Sequence, residues 1–354
     1  MEQIQINKAA ALKPLPDPAK LVFGKVFTDH MFLMNYDAGK GWHSPRIEPY
    51  AALSLEPSCM VFHYAQEVFE GMKAYRDPEG GVRLFRPMDN VQRLNQSCER
   101  LCIPQLPEDL ALEGIKTLVR MEERWVPSAE GTSLYVRPFV IATDASLGVH
   151  ASHSYLFCVI CCPVGAYYKE GLQPVKIYVE DEDVRAVRGG TGFTKCGGNY
   201  AASIRAGERA EEKGFSQVLW LDGVERKYIE EVGAMNVLFK IDGKVVTPKL
   251  NGSILPGITR RSCLDLLRDW GYVVEERLVT AQELFEAAEA GKLEEAWGSG
   301  TAAVISPIGV LAWEDRRVTI NGGRIGDLSQ KLYDTLTGIQ WGREVDPYGW
   351  SVKL

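Results

Sequence analysis

No apolar segment of this chain approaches the length of a membrane span, and no basic run stands out. With a net charge of −7, a nucleic-acid surface is not expected. Internal repeats and low-complexity segments are lacking too. The opening stretch, MEQIQINKAAALKPLPDPAK, has neither the apolar core of a secretory signal nor the arginine bias of a transit peptide, so the expected location is cytoplasmic. Histidine is scarce: the five present form no zinc-like cluster with the eight cysteines, and no metal is expected. Cys158 and Cys161 mimic a CxxC inside the apolar run YLFCVICC. Three residues apart on a strand they face opposite sides, which is poor geometry for a shared metal or a disulfide. Core packing is the better reading for these thiols.

Core-forming material is present in normal measure, with 45% of residues hydrophobic and 25% charged. A length of 354 residues predicts two domains. PVGAYYKEGLQP, with two prolines and two glycines, is the linker candidate, giving domains over 1–165 and 175–354 joined by 166–174. Residues to about Lys20 read as a polar arm, and LVFGKVFTDHMFLMNYD as short strands or an extended edge. DPEGG predicts a hairpin between Met72–Arg76 and Val82–Arg86. Helices are predicted after Pro87 and from Pro107 to Trp125. SLYVRPFVIA and SYLFCVICC read as buried strands, the first with Tyr135 and Arg137 on one face. Beyond the linker, VKIYVE is a predicted strand and Asp242-Gly243 a type I′ turn. LNGSILPG opens a helix that Gly271 ends, and Thr280 to Glu283 is a capping box. Gly298 to Ala302 reads as a small-residue turn, and Leu328 to Trp341 as a last helix.

The most distinctive stretch is RGGTGFTKCGGNYAAS, Arg188 to Ser203. Gly189, Gly190 and Gly192 precede Lys195, and Gly197 and Gly198 follow it, as where a backbone takes positive φ or approaches a ligand. An amphipathic stretch starts just behind, with Asn199 as its expected cap and Gly214 as its stop. Thr194 and Cys196 flank the lysine, so the P-loop pattern fails, and so does the dinucleotide fingerprint. A Schiff-base nucleophile and an exposed loop lysine remain.

Three further stretches fit one ligand with Lys195. Glu231, in EEVGAMN, offers a carboxylate beside a turn. Ile258 and Thr259 open a helix after Pro-Gly, so their N–H groups suit a phosphate. Ser299, Gly300 and Thr301 offer hydroxyls and an open backbone. Singly, each reads as a surface group or a turn. Together they supply an amine, an anionic partner for a ring nitrogen and a phosphate cup, which pyridoxal phosphate requires.

LVFGKVFTDHM, FHYAQEVFEGMKAY, RLFRPMDNVQRL, SLYVRP, PVGAY, TKCGGNYAAS, EEVGAMN, LNGSILPGITR and GSGTA follow in order through almost the whole chain. On these motifs the chain resembles the branched-chain amino-acid aminotransferases of pyridoxal-phosphate fold type IV. The resemblance implies an α+β or α/β architecture, with a smaller N-terminal α/β domain and a larger C-terminal domain on a barrel-like sheet. It implies the cofactor between them and a homodimer. The implied reaction moves the amino group of L-leucine, L-isoleucine or L-valine to 2-oxoglutarate, and back, in a ping-pong cycle. Lys195 resembles the Schiff-base lysine, Glu231 the acid at the pyridine nitrogen, and Tyr200 the phenol near the ring hydroxyl. Arg93, otherwise an unremarked helix charge, matches the phosphate-binding arginine, with Ile258, Thr259 and Thr301 completing the cup. Phe23, Tyr64, Phe69, Tyr135, Arg137, Tyr167 and Ala302 would form the substrate side, for branched-chain amino acids, glutamate and 2-oxo acids. Ala234 stands where relatives often carry threonine, leaving only its backbone N–H for the substrate. Ala303 and Ser306 occupy the positions of a redox CxxC found in some animal relatives, so no such thiol switch is expected. Other fold type IV enzymes, such as D-amino-acid aminotransferases and aminodeoxychorismate lyases, would share Lys195 and Glu231 but lack LVFGKVFTDHM, SLYVRP and PVGAY. An inactive ligand-binding relative is the other alternative, and the intact lysine, acid and phosphate residues speak against it.

Overall fold

Ten residues, Ser133–Ala142, organise the first half of the molecule through simple alternation. Val136, Val140 and Ala142 enter a core shared with Val91 and Leu94 of the helix Pro87–Arg100 and with Ile115 and Leu118 of the helix Glu108–Met121. Tyr135, Arg137, Phe139 and Ile141 therefore occupy the other face. The computed structural model describes residues 2–167 and 172–354, so 168–171 of the expected linker lie outside the described residues.

The chain forms two compact units: Met1–Tyr167 with Thr194–Gly197 and Gly338–Leu354, and Tyr168–Phe193 with Gly198–Thr337. Two stretches that the sequence places in the second domain thus belong to the first. Backbone pairing explains both. Phe69 N–H donates to the Lys195 carbonyl at 2.9 Å, and the C-terminal strand Ser351–Lys353 lies antiparallel to Val82–Phe85. Such pairings join residues far apart in the chain and leave no local signal.

In the first unit the strands are β1 (Gln5–Ile6), β2 (His30–Asp37), β3 (Gly41–Pro49), β4 (Glu67–Phe69), β5 (Met72–Arg76), β6 (Val82–Phe85), β7 (Ser133–Ala142) and β8 (Ser154–Val164). Their order is β1-β3-β2-β8-β7-β5-β6, closed by Ser351–Lys353, with β4 on β7 beside β5. The polar arm thus carries a short strand, parallel to β3. Gly114 brings the second helix tight against the sheet: an added Cβ would stand 2.6 Å from the ring of the fully buried Phe32. Cys161 belongs to the helix-side core and Cys158 to the cluster with Met31 and Leu33 on the opposite face, as the three-residue spacing predicts.

The second unit contains β9 (Val175–Glu180), β10 (Gln217–Leu221), β11 (Ile229–Val232), β12 (Met235–Ile241), β13 (Lys244–Pro248), β14 (Val274–Arg277), β15 (Leu293–Gly300), β16 (Val304–Trp313) and β17 (Arg316–Thr319). β11 pairs with both β10 and β12, which closes the ring β11-β10-β9-β16-β15-β12 into a six-stranded barrel. Asp242 and Gly243 both take positive φ, 51° and 77°, so the β12–β13 hairpin has its type I′ turn. Thr280 accepts from Glu283 N–H at 2.9 Å and caps Ala281–Glu289. Two expectations fail. Asn199 sits inside the short helix Gly197–Ala201, where its side chain bonds Thr191 instead of capping. Of the expected Gly298–Ala302 turn, Gly298–Gly300 is strand, paired with Val304–Ser306 of β16, and the turn begins only at Thr301.

Candidate active site

In the first unit, Lys195 is positioned from two sides. Its backbone N–H donates to Ser97 Oγ at 3.0 Å, and its carbonyl accepts from Phe69. Ser97 and Arg93 are four residues apart on Pro87–Arg100, so they share one helix face. Pro87 at the first turn and Asp89 behind it start that helix. Arg93 is buried and grips the fully buried Glu70, Nε to Oε1 at 2.7 Å and Nη2 to Oε2 at 2.9 Å. Burial first, and the Arg93 charge second, lower the Lys195 pKa to about 8. The Lys195 Nζ lies 4.7 Å from the centroid of Phe69, and the Arg137 guanidinium 4.8 Å from the same ring. Arg137 Nη2 donates to the Tyr135 hydroxyl at 3.1 Å, and Phe23 meets Tyr135 edge-on at 4.9 Å. Six expected residues, Phe23, Phe69, Arg93, Tyr135, Arg137 and Lys195, are therefore brought together. Tyr64 donates instead to the carbonyl of Leu147, and Tyr167 is exposed.

The second unit holds Tyr200, Glu231, Ala234, Ile258, Thr259, Thr301 and Ala302. Glu231 lies on β11 in register with Asn236 of β12, which is in register with Ser299 of β15. Three adjacent strands of the barrel thus present one buried polar row. Glu231 Oε1 accepts from Leu255 N–H at 2.8 Å, and its Oε2 lies 3.4 Å from Arg185 Nε. Asn236 Nδ2 donates to the Leu255 carbonyl at 2.9 Å. Ile258 and Thr259 begin the helix Ile258–Asp269, whose cap is Gly257 with no side-chain cap bond and no acid in the first turn. A Cβ at Gly257 would stand 1.9 Å from Asn236 Oδ1, so any side chain there would displace the Asn236 amide. The helix start therefore keeps donors available for an anion. Ser299 Oγ is buried without a hydrogen-bond partner, two residues before Thr301. Ala234 is exposed on the two-residue turn after Gly233, whose φ is 55°. Ala302 is exposed on the turn between β15 and β16.

Sequence reasoning missed Glu67, Glu70, Arg185 and Asn236. The first two flank Phe69 in Glu-Val-Phe-Glu, where isolated acids on a short strand look like surface charges. On the β7–β8 loop, Asp144, His150 and His153 bring potential ligand atoms within 4.8 Å of one another. That carboxylate already bonds the backbone and ring of His153, at 2.7 and 2.9 Å, as a turn-forming aspartate does.

The family model for amino-transferase class IV matches residues 67–310. Branched-chain-amino-acid aminotransferase 2 of Bacillus subtilis is 58% identical over 353 residues, covering 100% of this chain and 97% of its own length. The branched-chain-amino-acid aminotransferase of Mycolicibacterium smegmatis is 48% identical, covering 94% of this chain and 92% of its own. Among solved structures, a T.th. branched-chain amino acid aminotransferase with pyridoxamine 5′-phosphate superposes with a TM-score of 0.75 at 26% identity, covering 90% of this chain and 97% of that one. The Escherichia coli branched-chain amino acid aminotransferase gives 0.74 at 25%, covering 91% and 98%.

Proposed function

The chain belongs to the class IV aminotransferase family and is a branched-chain-amino-acid transaminase that uses pyridoxal phosphate, and we propose how its own residues do this work. The observation that carries the proposal is Lys195 Nζ, an amine with a pKa of about 8 set against Phe69 beside Arg137. When bound, the cofactor supplies an aldehyde for the incoming amino group and a protonated ring that takes up electrons from the substrate Cα. Lys195 would hold its aldehyde end, Glu231 its ring nitrogen and Tyr200 its ring hydroxyl. Arg93, the N–H groups of Ile258 and Thr259, and Thr301 would hold its phosphate. The uncapped helix start and the partnerless Ser299 hydroxyl fit such an anion.

An amine with a pKa of about 8 is neutral in an appreciable fraction of molecules at neutral pH. Lys195 Nζ would take the proton from the substrate Cα as general base and, as general acid, deliver it to the carbon that carries the cofactor's aldehyde. Phe23, Phe69 and Tyr135 give a leucine-type side chain apolar contact, at about 25 cal/mol per Å² removed from water. Tyr64, Tyr167, Ala234 and Ala302 complete the substrate side in this reading. Arg137 answers the distal carboxylate of glutamate, because an unpaired buried carboxylate is costly. Formation of the 2-oxo acid from L-leucine, dependent on 2-oxoglutarate, tests the function. Arg137→Met should impair L-glutamate more than L-leucine, whereas equal loss would remove Arg137 from this role.

We also propose a cytoplasmic homodimer. Among the described residues no helix is long and apolar enough to cross a membrane. Leu147 and Val149, at 63% and 82% exposure, and the exposed Phe62 offer apolar surface that a second copy would cover. Sedimentation at a single-chain mass would contradict the dimer.

A further inference from the structure

We propose that Glu67 is a specificity-determining residue, the built-in counter-charge that lets Arg137 tolerate a leucine-type side chain. The inference rests on the reading that Arg137 receives the glutamate carboxylate. Register places Glu67 opposite Ile141 and Phe69 opposite Phe139, so Glu67 lies on the sheet face that bears Tyr135 and Arg137. Its Oε1 accepts from the N–H of Gly197, two residues beyond Lys195. A Cβ at Gly197 would stand 2.3 Å from that same oxygen, so the glycine is what allows the approach. β4 thereby holds the lysine segment twice, through Phe69 N–H before it turns and through Glu67 after.

Arg137 is half-buried, stacked on Phe69, with its Nε buried and lacking a hydrogen-bond partner. Such a cation needs a nearby anion. A dicarboxylate substrate brings one and a leucine-type substrate does not. Glu67, on the same sheet face, supplies one: burial raises its pKa above the ordinary value, while the Gly197 N–H and then the Arg137 charge pull the other way. Phe69 touches both Arg137 and Lys195, and Glu67, two residues earlier on the same strand, adds negative charge to the face that bears Arg137. Removing the Glu67 charge should strengthen dicarboxylates and weaken apolar ligands, the opposite sign to removing Arg137.

The test compares Glu67→Gln, which keeps an acceptor for Gly197 N–H, with Arg137→Met, both as holoenzyme. Dissociation constants for the non-reactive acids glutarate and 4-methylpentanoate are measured by calorimetry, and kcat/KM for L-glutamate and L-leucine alongside. In Glu67→Gln the preference for the dicarboxylate should rise about five- to tenfold in both readouts, and in Arg137→Met it should fall. An unchanged preference in Glu67→Gln beside a selective loss in Arg137→Met overturns the Glu67 role alone. An unselective Arg137→Met overturns the Arg137 reading and the inference with it.

Discussion

Arg93 and Glu70 form a two-pronged ion pair, 2.7 and 2.9 Å, with the carboxylate fully buried beside the lysine segment. The pair fixes the plane of a guanidinium whose charge reaches Lys195. A buried pair of this kind is costly to break from one side, because the survivor keeps its desolvation without its partner. Arg93→Met should therefore lower stability by about 3 to 5 kcal/mol. Glu70→Gln keeps an acceptor but leaves the buried Arg93 cation without its counter-charge, so it should also lose about 3 to 5 kcal/mol. Urea unfolding of the two variants measures both, and small losses would contradict the arrangement.

The Lys195 amine should titrate low in the apoprotein. Acylation by an amine-directed reagent, followed by peptide mass spectrometry, should rise with pH about a midpoint near 8. A free lysine amine followed in the same solution should rise only toward about 10.4. Arg93→Met removes a cation that disfavours the ammonium, so the Lys195 midpoint should move upward.

Ser299→Ala separates a ligand role from a structural one. The hydroxyl is buried and unpartnered, so deleting it removes a desolvation cost and should leave apoprotein stability unchanged or slightly higher. Cofactor affinity, by fluorescence titration, should fall about three- to tenfold, as for a lost hydrogen bond to a charged group. Unchanged affinity would exclude Ser299 from the phosphate cup.

Asp222 ties down the loop that leads into β11 and hence toward Glu231. Burial pushes its pKa up, but the N–H groups of Lys227, Glu225, Tyr228 and Val224 outweigh it and hold the carboxyl below its usual value. A depressed folded-state pKa contributes stability that is present above the unfolded value, about 3.9, and is lost as pH falls through the folded value. The gap in unfolding free energy between the parent and Asp222→Asn should thus be widest at neutral pH, about 2 kcal/mol, and shrink below about pH 4. A gap that grows on acidification would contradict this account.

Local chemistry was readable and long-range geometry was not. The Asp242–Gly243 turn, the Thr280 cap and the Met72–Phe85 hairpin each follow from a few adjacent residues, and each stands in the fold. Asn199 misled because Thr191, eight residues upstream, captures its amide. Gly298 and Gly300 were read as turn formers, whereas their smallness admits Met235 across the sheet. Nothing local announces that β11 pairs on both sides to close the barrel. The same holds at the site: Lys195 stands out by its glycines, but Glu67 and Glu70 become partners of Gly197 and Arg93 only once the strand Glu67–Phe69 lies against the lysine segment.

The central claim is that Lys195 is the residue that carries the cofactor. Borohydride reduction of the pyridoxal-phosphate-loaded protein, followed by peptide mapping, tests it most directly. A stable phosphopyridoxyl adduct should appear on the peptide containing Lys195, disappear in Lys195→Ala, and be prevented when L-leucine is added before reduction. An adduct on Lys73, a second half-buried lysine whose pKa burial lowers to about 8, or a labelling pattern unchanged in Lys195→Ala, would contradict the account.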